Sequence, residues 1–461
     1  MVRIMFGYVL RVCHEVKMSD SDAQDQSLRR QDHKLPMDKV IIYSKVVPVI
    51  FQVLALQLHG AISGLIHRYT YKQIESPKNV VVVGAAGAGY HAAKLLANTL
   101  PTGYRVVIVE KNSHFNFTWV LPRFSVVSGH EHKAFIPYGP YLKGAPEGSY
   151  QWLQDRVGNV DAKNVYLQSG EIIPFEYLVI ATGSNAVAPS RIGATDKDDG
   201  IEILQGLQTR IRAAEDVVVL GAGPAGVELA ADAKELYPNK NVTLVHSRDE
   251  VLHYFGPGLR AAALSGLQKL GVRVILNERL DPSAAESDGK LTLKSGEELA
   301  CDCLIKCTGQ KAASDILSDL SPSSISRTGE IKVRKTLQIA DEKFSNIFAA
   351  GDVIESIRNK NSRTAMMQAH MVAENVLHAI KSQSLSEYTA QWWEAGIDLT
   401  LGLRDGIMYL HDDKREALSY HTFKDIALKS RDAWRIMGAT PYEDNANPIY
   451  KKVHASSDID Q

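Results

Sequence analysis

The amino-acid sequence predicts an α/β fold with two Rossmann-like domains, each a doubly wound parallel sheet in a three-layer arrangement. Two segments carry this prediction, residues 79–100 and 216–231. In each, a short run of β-branched residues enters a glycine-rich turn and then a helical stretch. A second strand-like run follows each helix, at 105–109 and 241–245. The length of 461 residues is sufficient for two or three domains with well-buried cores.

The composition is that of a soluble globular protein, with 45% hydrophobic and 23% charged residues. The 52 basic and 53 acidic side chains nearly cancel, so no basic excess indicates a nucleic-acid partner. The four cysteines are too few and too clustered to staple a secreted protein, so a reducing compartment inside the cell is expected.

The first 38 residues predict no folded domain. Residues 1–18 contain a short apolar run without a small-residue cleavage site, so a secretory signal is not expected. Residues 19–38 are polar and include acids, which is typical of disorder. We therefore interpret residues 1–38 as a disordered leader or a misassigned upstream extension, with Met18 and Met37 as alternative starts.

Residues 39–76 predict a helix that associates with a membrane. From Val46 to His67 no Asp, Glu, Lys or Arg occurs, over a length close to the ~20 residues that a spanning helix needs. At the helical period, all but one of the polar residues project into one narrow sector: Lys45, Gln52, His59, Ser63 and His67. A broad apolar face with a thin polar stripe favours a helix lying in a membrane interface. A single spanning helix and a helix packed on the protein's own surface are the alternatives.

The first glycine-rich segment has the spacing of a dinucleotide fingerprint. Gly84 permits the tight turn after the strand, and Gly89 lets the following helix pack closely on that strand. Glu110 ends the second strand, where a carboxylate accepts hydrogen bonds from the adenosine ribose hydroxyls. Ala86 replaces the middle glycine, so its methyl group displaces the pyrophosphate slightly, and Gly87 is the glycine that compensates.

The second fingerprint keeps all three glycines, Gly221, Gly223 and Gly226. The strand after its helix runs into His246 and Arg248, with no carboxylate at the position that reads the ribose. Without that negative charge nothing repels a 2′-phosphate, and Arg248 is placed to pair with one. The sequence therefore predicts that NADPH is accepted, alongside NADH.

Three further motifs follow strand-like runs at consistent places. They are Ala181-Thr182-Gly183, Thr308-Gly309 and Gly351-Asp352. Together with the two fingerprints, they resemble the pyridine-nucleotide-disulfide-oxidoreductase superfamily, whose Thr-Gly turns lie at the crossovers between domains. This resemblance implies FAD at the first fingerprint and NAD(P)H at the second. It also implies that Asp352 contacts the ribityl and phosphate region of the flavin.

A narrower resemblance is to the apoptosis-inducing-factor-like, mitochondrion-associated oxidoreductases of the ferroptosis suppressor-like type. It rests on residues 219–228, 235–238 and 242–247, and residues 117–123 are similar to the fungal members. The similarity covers roughly residues 77–410. It implies NAD(P)H-dependent reduction of a quinone at a membrane.

The same resemblance implies a domain plan and further contacts. An NAD(P) domain at 191–310 is expected to be inserted in an FAD domain formed by 77–190 and 311–380. A small α+β domain with a polar tail is expected at 381–461. By position, Arg123 would lie near FAD, and the backbone of Val157 would meet the adenine. Surface helices of the C-terminal region could form a homodimer, although no pattern requires one.

Glu228 is the first candidate for a catalytic role. It lies two residues after the last glycine of the second fingerprint, and related NADH:quinone reductases have a glutamate at the matching position. The alternative is an ordinary first-turn glutamate stabilised by the helix dipole. A redox-active cysteine pair is nearly excluded, because no cysteine lies between residues 14 and 300. No metal site is predicted either, since Cys301, Cys303 and Cys307 lie on a strand-like run and lack a fourth ligand.

Gln368 is the second candidate. It belongs to residues 363–370, and in type-II NADH dehydrogenases the comparable helix lines the quinone site. The alternative is a core helix in which Gln368 is satisfied by its neighbours. Trp392 and Trp393 are expected in the core or at a dimer interface rather than against a substrate.

Three classes of function remain open on the sequence. The first is a membrane-associated NAD(P)H:quinone oxidoreductase inside the cell, at the mitochondrial outer face, a lipid droplet or another cytosol-facing membrane. The second is a soluble NAD(P)H oxidase or a reductase of a protein electron carrier. The third is a slow redox sensor whose FAD–nicotinamide complex controls binding to another protein. The chemistry common to all three is hydride transfer from nicotinamide to flavin.

Overall fold

The computed structural model describes residues 35–280, 289–356, 360–412 and 414–444. Residues 1–34 of the predicted leader and residues 445–461 of the predicted polar tail lie outside the described residues.

The described helices and strands follow one another along the chain. The α-helices are α1 (Leu35–Thr70), α2 (Gly87–Ala97), α3 (Leu121–Phe124), α4 (Lys197–Ala213), α5 (Pro224–Leu236), α6 (Pro257–Leu270), α7 (Ser362–Ile380) and α8 (Ser430–Ile436). The strands of the first half are β1 (Lys78–Val83), β2 (Tyr104–Glu110), β3 (His114–Asn116), β4 (Phe135–Pro137), β5 (Tyr150–Gln154), β6 (Val157–Val160), β7 (Asn164–Leu167), β8 (Ile172–Pro174), β9 (Tyr177–Ile180) and β10 (Ser184–Asn185). Those of the second half are β11 (Asp216–Leu220), β12 (Asn241–Val245), β13 (Arg273–Ile275), β14 (Lys290–Thr292), β15 (Glu298–Ala300), β16 (Cys303–Lys306), β17 (Lys311–Ala312), β18 (Ile347–Ala349), β19 (Ile397–Thr400), β20 (Asp405–His411) and β21 (Glu416–Thr422).

The first sheet is parallel and has the order β18-β9-β1-β2-β5. Residues 80–83 of β1 are buried on both faces, as expected for a β-branched run at the centre of a parallel sheet. Helix α2 packs along α7, and the antiparallel sheet β6-β7-β8 contributes side chains to the same core. The layers therefore are helices, parallel sheet and a small antiparallel sheet.

The second sheet is also parallel and has the order β13-β12-β11-β16. Because side chains alternate along a strand, Val217 and Val219 of β11 pack with α5 and α6 on one face. Val218 packs on the other face against the hairpin of β14 and β15. All strands of this sheet come from residues 216–306, between β9 and β18 of the first sheet. The predicted fold class, one Rossmann-like domain inserted in another, is confirmed.

The C-terminal region is a small α+β unit. Strands β19, β20 and β21 form an antiparallel sheet, and α8 follows it. Leu399 and Ile407 of this sheet join the core of the second parallel sheet. The C-terminal sheet is therefore packed directly on the inserted domain.

Helix α1 packs on the protein's own surface through one face. The apolar residues of that face are Ile42, Val46, Val49, Ile50 and Val53, and four of them cluster with the buried Trp393. Lys45 forms an ion pair with Asp412, and His67 Nε2 lies 2.5 Å from the carbonyl oxygen of Leu100. Through this face, α1 is packed on the protein's own surface.

The opposite face of α1 is also apolar, and it points outward. Its exposed large side chains are Val47, Phe51, Leu58, Ile62, Leu65, Ile66 and Tyr69. By length and composition alone, Ser44–Thr70 could also cross a membrane. An outward row of this kind is unusual on a soluble monomer, where contiguous exposed apolar patches mark contact surfaces.

Candidate active site

The first glycine-rich loop is closed by backbone contacts that only glycine permits. Gly84 has φ +91°, and a Cβ there would lie 2.5 Å from the carbonyl oxygen of Ala181 at the end of β9. A Cβ on Gly89 would lie 1.8 Å from the carbonyl oxygen of Gly84. The Ala85 N–H donates to Glu110 Oε2 at 2.5 Å, which places this buried carboxylate against the loop. Burial raises the pKa of Glu110, and the Ala85 and Asn112 N–H donors oppose that rise.

The second loop repeats this geometry. Gly221 has φ +106°, and a Cβ there would lie 2.6 Å from the carbonyl oxygen of Cys307. A Cβ on Gly226 would lie 1.9 Å from the Gly221 carbonyl oxygen, while one on Gly223 would meet nothing within 4 Å. Each loop therefore has a tight turn and a close helix–strand contact, with the start of a helix at its end, which is the arrangement that holds a pyrophosphate.

A third turn lies at the carboxyl end of β18, beside the first loop. Gly351 has φ +84°, and its N–H donates to Gln368 Oε1 at 2.8 Å. Asp352 forms an ion pair with Arg191 Nη2 at 2.8 Å. Thr182, in the turn after β9, donates from Oγ1 to the carbonyl oxygen of Ala313 at 2.6 Å. The sheet thus brings the predicted residues of the Thr-Gly and Gly-Asp turns to the same edge as the first loop.

The remaining predicted cofactor contacts lie at the ends of their elements. Val157 is buried at the start of β6, and Gly183 has φ +70° directly after β9. Gly309 has φ +45° in the turn after β16. Arg248 is exposed on the loop after β12. Ala86, in place of the middle glycine, lines the cavity described next.

A cavity of about 520 Å³ extends from the first loop to the C-terminal sheet. Gly87 at the start of α2 and Ser362 at the start of α7 lie on one wall, and Val46 and Val47 of α1 form part of another. Most of its surface is apolar, and its aromatic and methionine side chains are Tyr90, Phe115, Phe117, Trp119, Tyr141, Met366, Trp393, Met408, Tyr409 and Met437. The shape and lining suit a planar apolar ligand beside a flavin.

A polar cluster interrupts this apolar lining. Asp398 of β19 accepts from His421 Nε2 at 2.7 Å and from the ammonium group of Lys429. Asp398 and Lys429 both line the cavity, and Lys429 Nζ lies 5.2 Å from the centre of the Trp119 ring. Burial acts to raise the pKa of Asp398, but the hydrogen bond from His421 and the Lys429 charge together hold it below its ordinary value. The sequence reasoning missed this cluster, although an acid inside an apolar strand was a usable signal.

Glu228 lies behind the strand that carries this cluster. It is 5% exposed, and its Oε1 accepts from the N–H of Thr400, two residues after Asp398. Burial raises the pKa of Glu228 to about 8, and the nearby Asp232 charge adds to the rise. The Glu228 carboxyl group is therefore mostly protonated at neutral pH, so it can hold a proton between the inserted domain and the C-terminal sheet.

This protonation gives a prediction for Glu228→Gln. In the folded protein the pKa is about 8 against an ordinary value of 4.5, so the wild type loses stability as pH rises through that window. Glutamine stays neutral and keeps the acceptor for Thr400. We expect the variant to gain stability over wild type from pH 5 to 8, by at most about 1.4 kcal/mol per pH unit. Thermal unfolding of both proteins across this pH range measures the stability difference, with the exposed Glu171→Gln variant as the control. A stability difference that does not change with pH would contradict the prediction.

Two predicted residues have other contacts than expected. Arg123 is 1% exposed, its Nε donates to Asp232 Oδ2 at 2.7 Å, and its Nη2 donates to the carbonyl oxygen of Gly402 at 2.7 Å. The guanidinium of Arg123 therefore joins the inserted domain to the C-terminal region, and the expected position of Arg123 near FAD stays a prediction. Gln368 does not line the cavity, because its side chain is used to hold Gly351. On the same helix, Arg363 and Met366 line the cavity instead.

The described cysteines show neither a disulfide nor a metal site. Cys301, Cys303 and Cys307 form no disulfide among the described residues, and burial raises the pKa of Cys307 to about 12. In the described ranges no group of three or more His, Cys, Asp or Glu side chains is placed to hold a metal ion.

The geometry defines a class of protein with two dinucleotide sites and an apolar cavity that extends from the first of them to the C-terminal sheet. The residues fit FAD at the first loop, because Gly84 and Gly89 close the turn against the start of α2 and Glu110 is held at the ribose position. The chain belongs to the pyridine nucleotide-disulphide oxidoreductase family, whose family model matches residues 78–375. It is an NAD(P)H-dependent flavoenzyme that uses FAD, as the fingerprints predict.

Two relatives and one solved structure show where the chain lies in this family. It is 34% identical to Fe-regulated protein 8 of Mycosarcoma maydis, over 68% of this chain and 84% of that protein. It is 31% identical to ferroptosis suppressor protein 1 of Xenopus tropicalis, over 80% of this chain and 98% of that protein. The predicted resemblance to ferroptosis suppressor-like oxidoreductases is confirmed. The fold is similar to that of the sulfide:quinone oxidoreductase of Aquifex aeolicus, with a TM-score of 0.65 and 20% identity over 82% of this chain and 96% of that one.

Proposed function

We propose that this flavoenzyme passes a hydride from NAD(P)H to FAD and then passes the electrons to a quinone-type acceptor at a membrane. The observation that carries the proposal is the apolar cavity, which runs from the starts of α2 and α7 to α1. The apolar lining of this cavity suits an apolar planar acceptor, and α1 presents its other face to the outside of the protein. The relative named ferroptosis suppressor protein 1 and the sulfide:quinone oxidoreductase structure are consistent with it.

The chain's own residues position the cofactor. The loop with Gly84 and Gly89 and the carboxylate of Glu110 would hold the adenosine and pyrophosphate part of FAD. Asp352, held by Arg191, would meet the ribityl and phosphate region, and Gln368 acts as a positioning residue by fixing Gly351. Bound FAD supplies the redox chemistry, taking a hydride and releasing electrons to the acceptor.

The start of α7 shapes the electrostatics of the cavity. Asn361 caps the helix by accepting from the N–H groups of Arg363 and Thr364. Asn361, Ser362 and Arg363 all line the cavity, so the positive end of the helix dipole faces it. Negative charge that develops on a ring in this cavity is stabilised by that end of the helix.

Reduction of a quinone to a quinol also consumes protons, and Lys429 is placed to deliver one. Its ammonium group lines the cavity and is held by Asp398, which His421 fixes from the other side. Asp398 thus holds the Lys429 ammonium group, the proton donor, at the cavity in which the acceptor would bind. Glu228, with its buried proton behind β19, is the second proton-holding group that this side of the cavity offers.

We expect Lys429→Met to slow quinone turnover about 100-fold, because a positioned acid contributes at least about that factor to proton transfer. Flavin reduction by NADPH should change far less, since the hydride step needs no proton from Lys429. Stopped-flow measurement of the reductive and oxidative half-reactions separates the two. The matched control is exposed Lys424→Met. Equal slowing of both half-reactions would show that Lys429 only supports the fold.

The membrane partner is proposed to bind the outward face of α1. Phe51, Leu58 and Ile62 are 67%, 64% and 51% exposed, and no charged residue lies between Val46 and His67. Burial of such side chains in the acyl boundary is favourable, and the body of the protein would stay on the water side. We infer an intracellular, cytosol-facing membrane, at the mitochondrial outer face or a lipid droplet among others.

We expect the double variant Phe51→Asp, Ile62→Asp to lose at least about tenfold in partition to phosphatidylcholine vesicles, because two apolar contacts are replaced by charges. Flotation of FAD-loaded protein with such vesicles measures this partition. The matched control is Ile172→Asp, which alters an exposed isoleucine on β8. Unchanged flotation of the double variant would mean that α1 does not contact lipid.

The experiment that tests the proposed function is steady-state oxidation of NADH and NADPH by FAD-loaded protein, with and without a short-chain ubiquinone. The expected result is a rate with quinone far above the oxygen background. If NAD(P)H reduces the flavin but no quinone accelerates turnover, the quinone proposal fails. Rapid oxygen consumption would then favour an oxidase, and a long-lived reduced complex would favour a redox sensor.

A further inference from the structure

The two dinucleotide loops differ at one equivalent position. In the FAD half, the residue after the last β1–β2 pair, Val83 with Val109, is Glu110, whose carboxylate accepts the Ala85 N–H. In the inserted half, the residue after β12 is His246, whose Nδ1 accepts the Ala222 N–H at 3.2 Å. The same backbone donor thus holds a carboxylate in one half and an imidazole in the other. The strand registers agree, so the two side chains occupy corresponding places beside their loops.

The hydrogen bond from Ala222 determines which ring nitrogen of His246 carries the proton. Because Nδ1 accepts, the neutral ring must carry its proton on Nε2, which makes Nε2 a donor. His246 is 8% exposed, and in the described part of the chain nothing pairs with Nε2. A buried donor without a partner is costly, so such an atom points to a ligand that accepts from it.

A second histidine and an arginine lie at the same place. The rings of His246 and His253 are 5.5 Å apart, and neither ring nitrogen of His253 has a partner among the described residues. Burial lowers the pKa of both histidines, and the nearby charge of Arg248 lowers both further. Arg248 itself is exposed and free to turn toward a ligand. Three side chains that can donate to an anion therefore surround the position where a carboxylate would read a ribose.

We propose that His246, His253 and Arg248 form a recognition site for the 2′-phosphate of NADPH, so that the enzyme prefers NADPH to NADH. The phosphate oxygens would accept from His246 Nε2, from the His253 ring and from the guanidinium, and charge-assisted hydrogen bonds of this type are strong. A ribose hydroxyl in NADH leaves two of these donors without an acceptor. This inference rests on NAD(P)H binding at the second loop and adds the choice between the two nucleotides.

The test compares both nucleotides with two probes on FAD-loaded protein. We expect kcat/KM for NADPH to exceed that for NADH at least about tenfold, the worth of one charge-assisted hydrogen bond. Calorimetry should show tighter binding of adenosine 2′,5′-bisphosphate than of adenosine 5′-monophosphate by a similar factor. Arg248→Gln and His253→Phe should each lower both ratios toward about one. His246→Glu, which copies Glu110, should reverse the preference in favour of NADH.

The matched control is Arg273→Gln, which alters an exposed arginine at the start of β13, the strand that pairs with β12. It removes one positive charge from the domain, and both ratios should stay at the wild-type value. Equal affinity of wild type for the two probes would overturn the inference, even where NADH and NADPH both reduce the flavin. A failure of the quinone proposal is separate, because it leaves nucleotide binding and flavin reduction intact.

Discussion

Gly89→Ala should yield a folded protein without FAD. A Cβ at this position would lie 1.8 Å from the Gly84 carbonyl oxygen and 3.0 Å from the Ala181 Cβ, which leaves it no room. The helix must then withdraw from the strand, which displaces the loop that would hold the pyrophosphate. We expect essentially complete loss of the flavin absorbance relative to the protein absorbance after purification, and loss of activity with it.

Two companion variants make this result interpretable. Gly226→Ala introduces the same clash in the second loop, at 1.9 Å from the Gly221 carbonyl oxygen. It should keep FAD, resist reduction by NADPH and still be reduced by dithionite. Gly206→Ala, within α4, meets nothing within 4 Å and should behave as wild type. Retention of FAD by the Gly89 variant would show that the first loop is not the flavin site, and loss of helical circular dichroism would show an unfolded chain instead.

Asp232→Asn should destabilise the folded protein by about 3–5 kcal/mol, the usual cost of breaking a buried ion pair by removing one partner. Arg123 and Asp232 are 1% and 0% exposed, and Arg123 also donates to backbone carbonyls of residues 402, 403 and 426. The neutral amide leaves an uncompensated guanidinium charge at the junction of three elements. Urea unfolding of the FAD-loaded protein measures the loss.

The controls separate this buried pair from ordinary charge effects. Asp432→Asn removes a partner of Arg435 at 3.7 Å on the surface and should change the free energy of unfolding by less than about 1 kcal/mol. The double variant Arg123→Met, Asp232→Leu replaces the pair by apolar groups and should recover much of the loss. A loss below about 1 kcal/mol for Asp232→Asn would contradict the role assigned to this pair.

The fold and both dinucleotide loops could be predicted because their signals are local. Gly84 and Gly89, and likewise Gly221 and Gly226, are read from a few adjacent residues whose spacing reflects one turn and one helix start. Glu110 follows from the same local pattern, since it ends the next strand.

The interpretations of Arg123 and Gln368 rested on position within a family pattern, and their contacts depend on distant residues. The guanidinium of Arg123 is satisfied by Asp232 and by backbone groups about 280 to 300 residues further along the chain. No spacing in the sequence encodes those partners. The same holds for the cluster of Asp398, His421 and Lys429, which forms only when the C-terminal sheet is folded. A homodimer stays a prediction.

Under the proposed function, helix α1 links the location of the enzyme to the choice of its acceptor, because it borders the cavity and also faces outward. Val46 belongs to the cavity wall, while exposed apolar side chains such as Phe51 and Ile62 lie on the other side of the same helix. A form of the protein without residues 41–70 would open that wall to water. If α1 binds a membrane as proposed, this shortened form would lose its membrane attachment and the apolar wall of its cavity together, and water-soluble oxidants would reach the cavity.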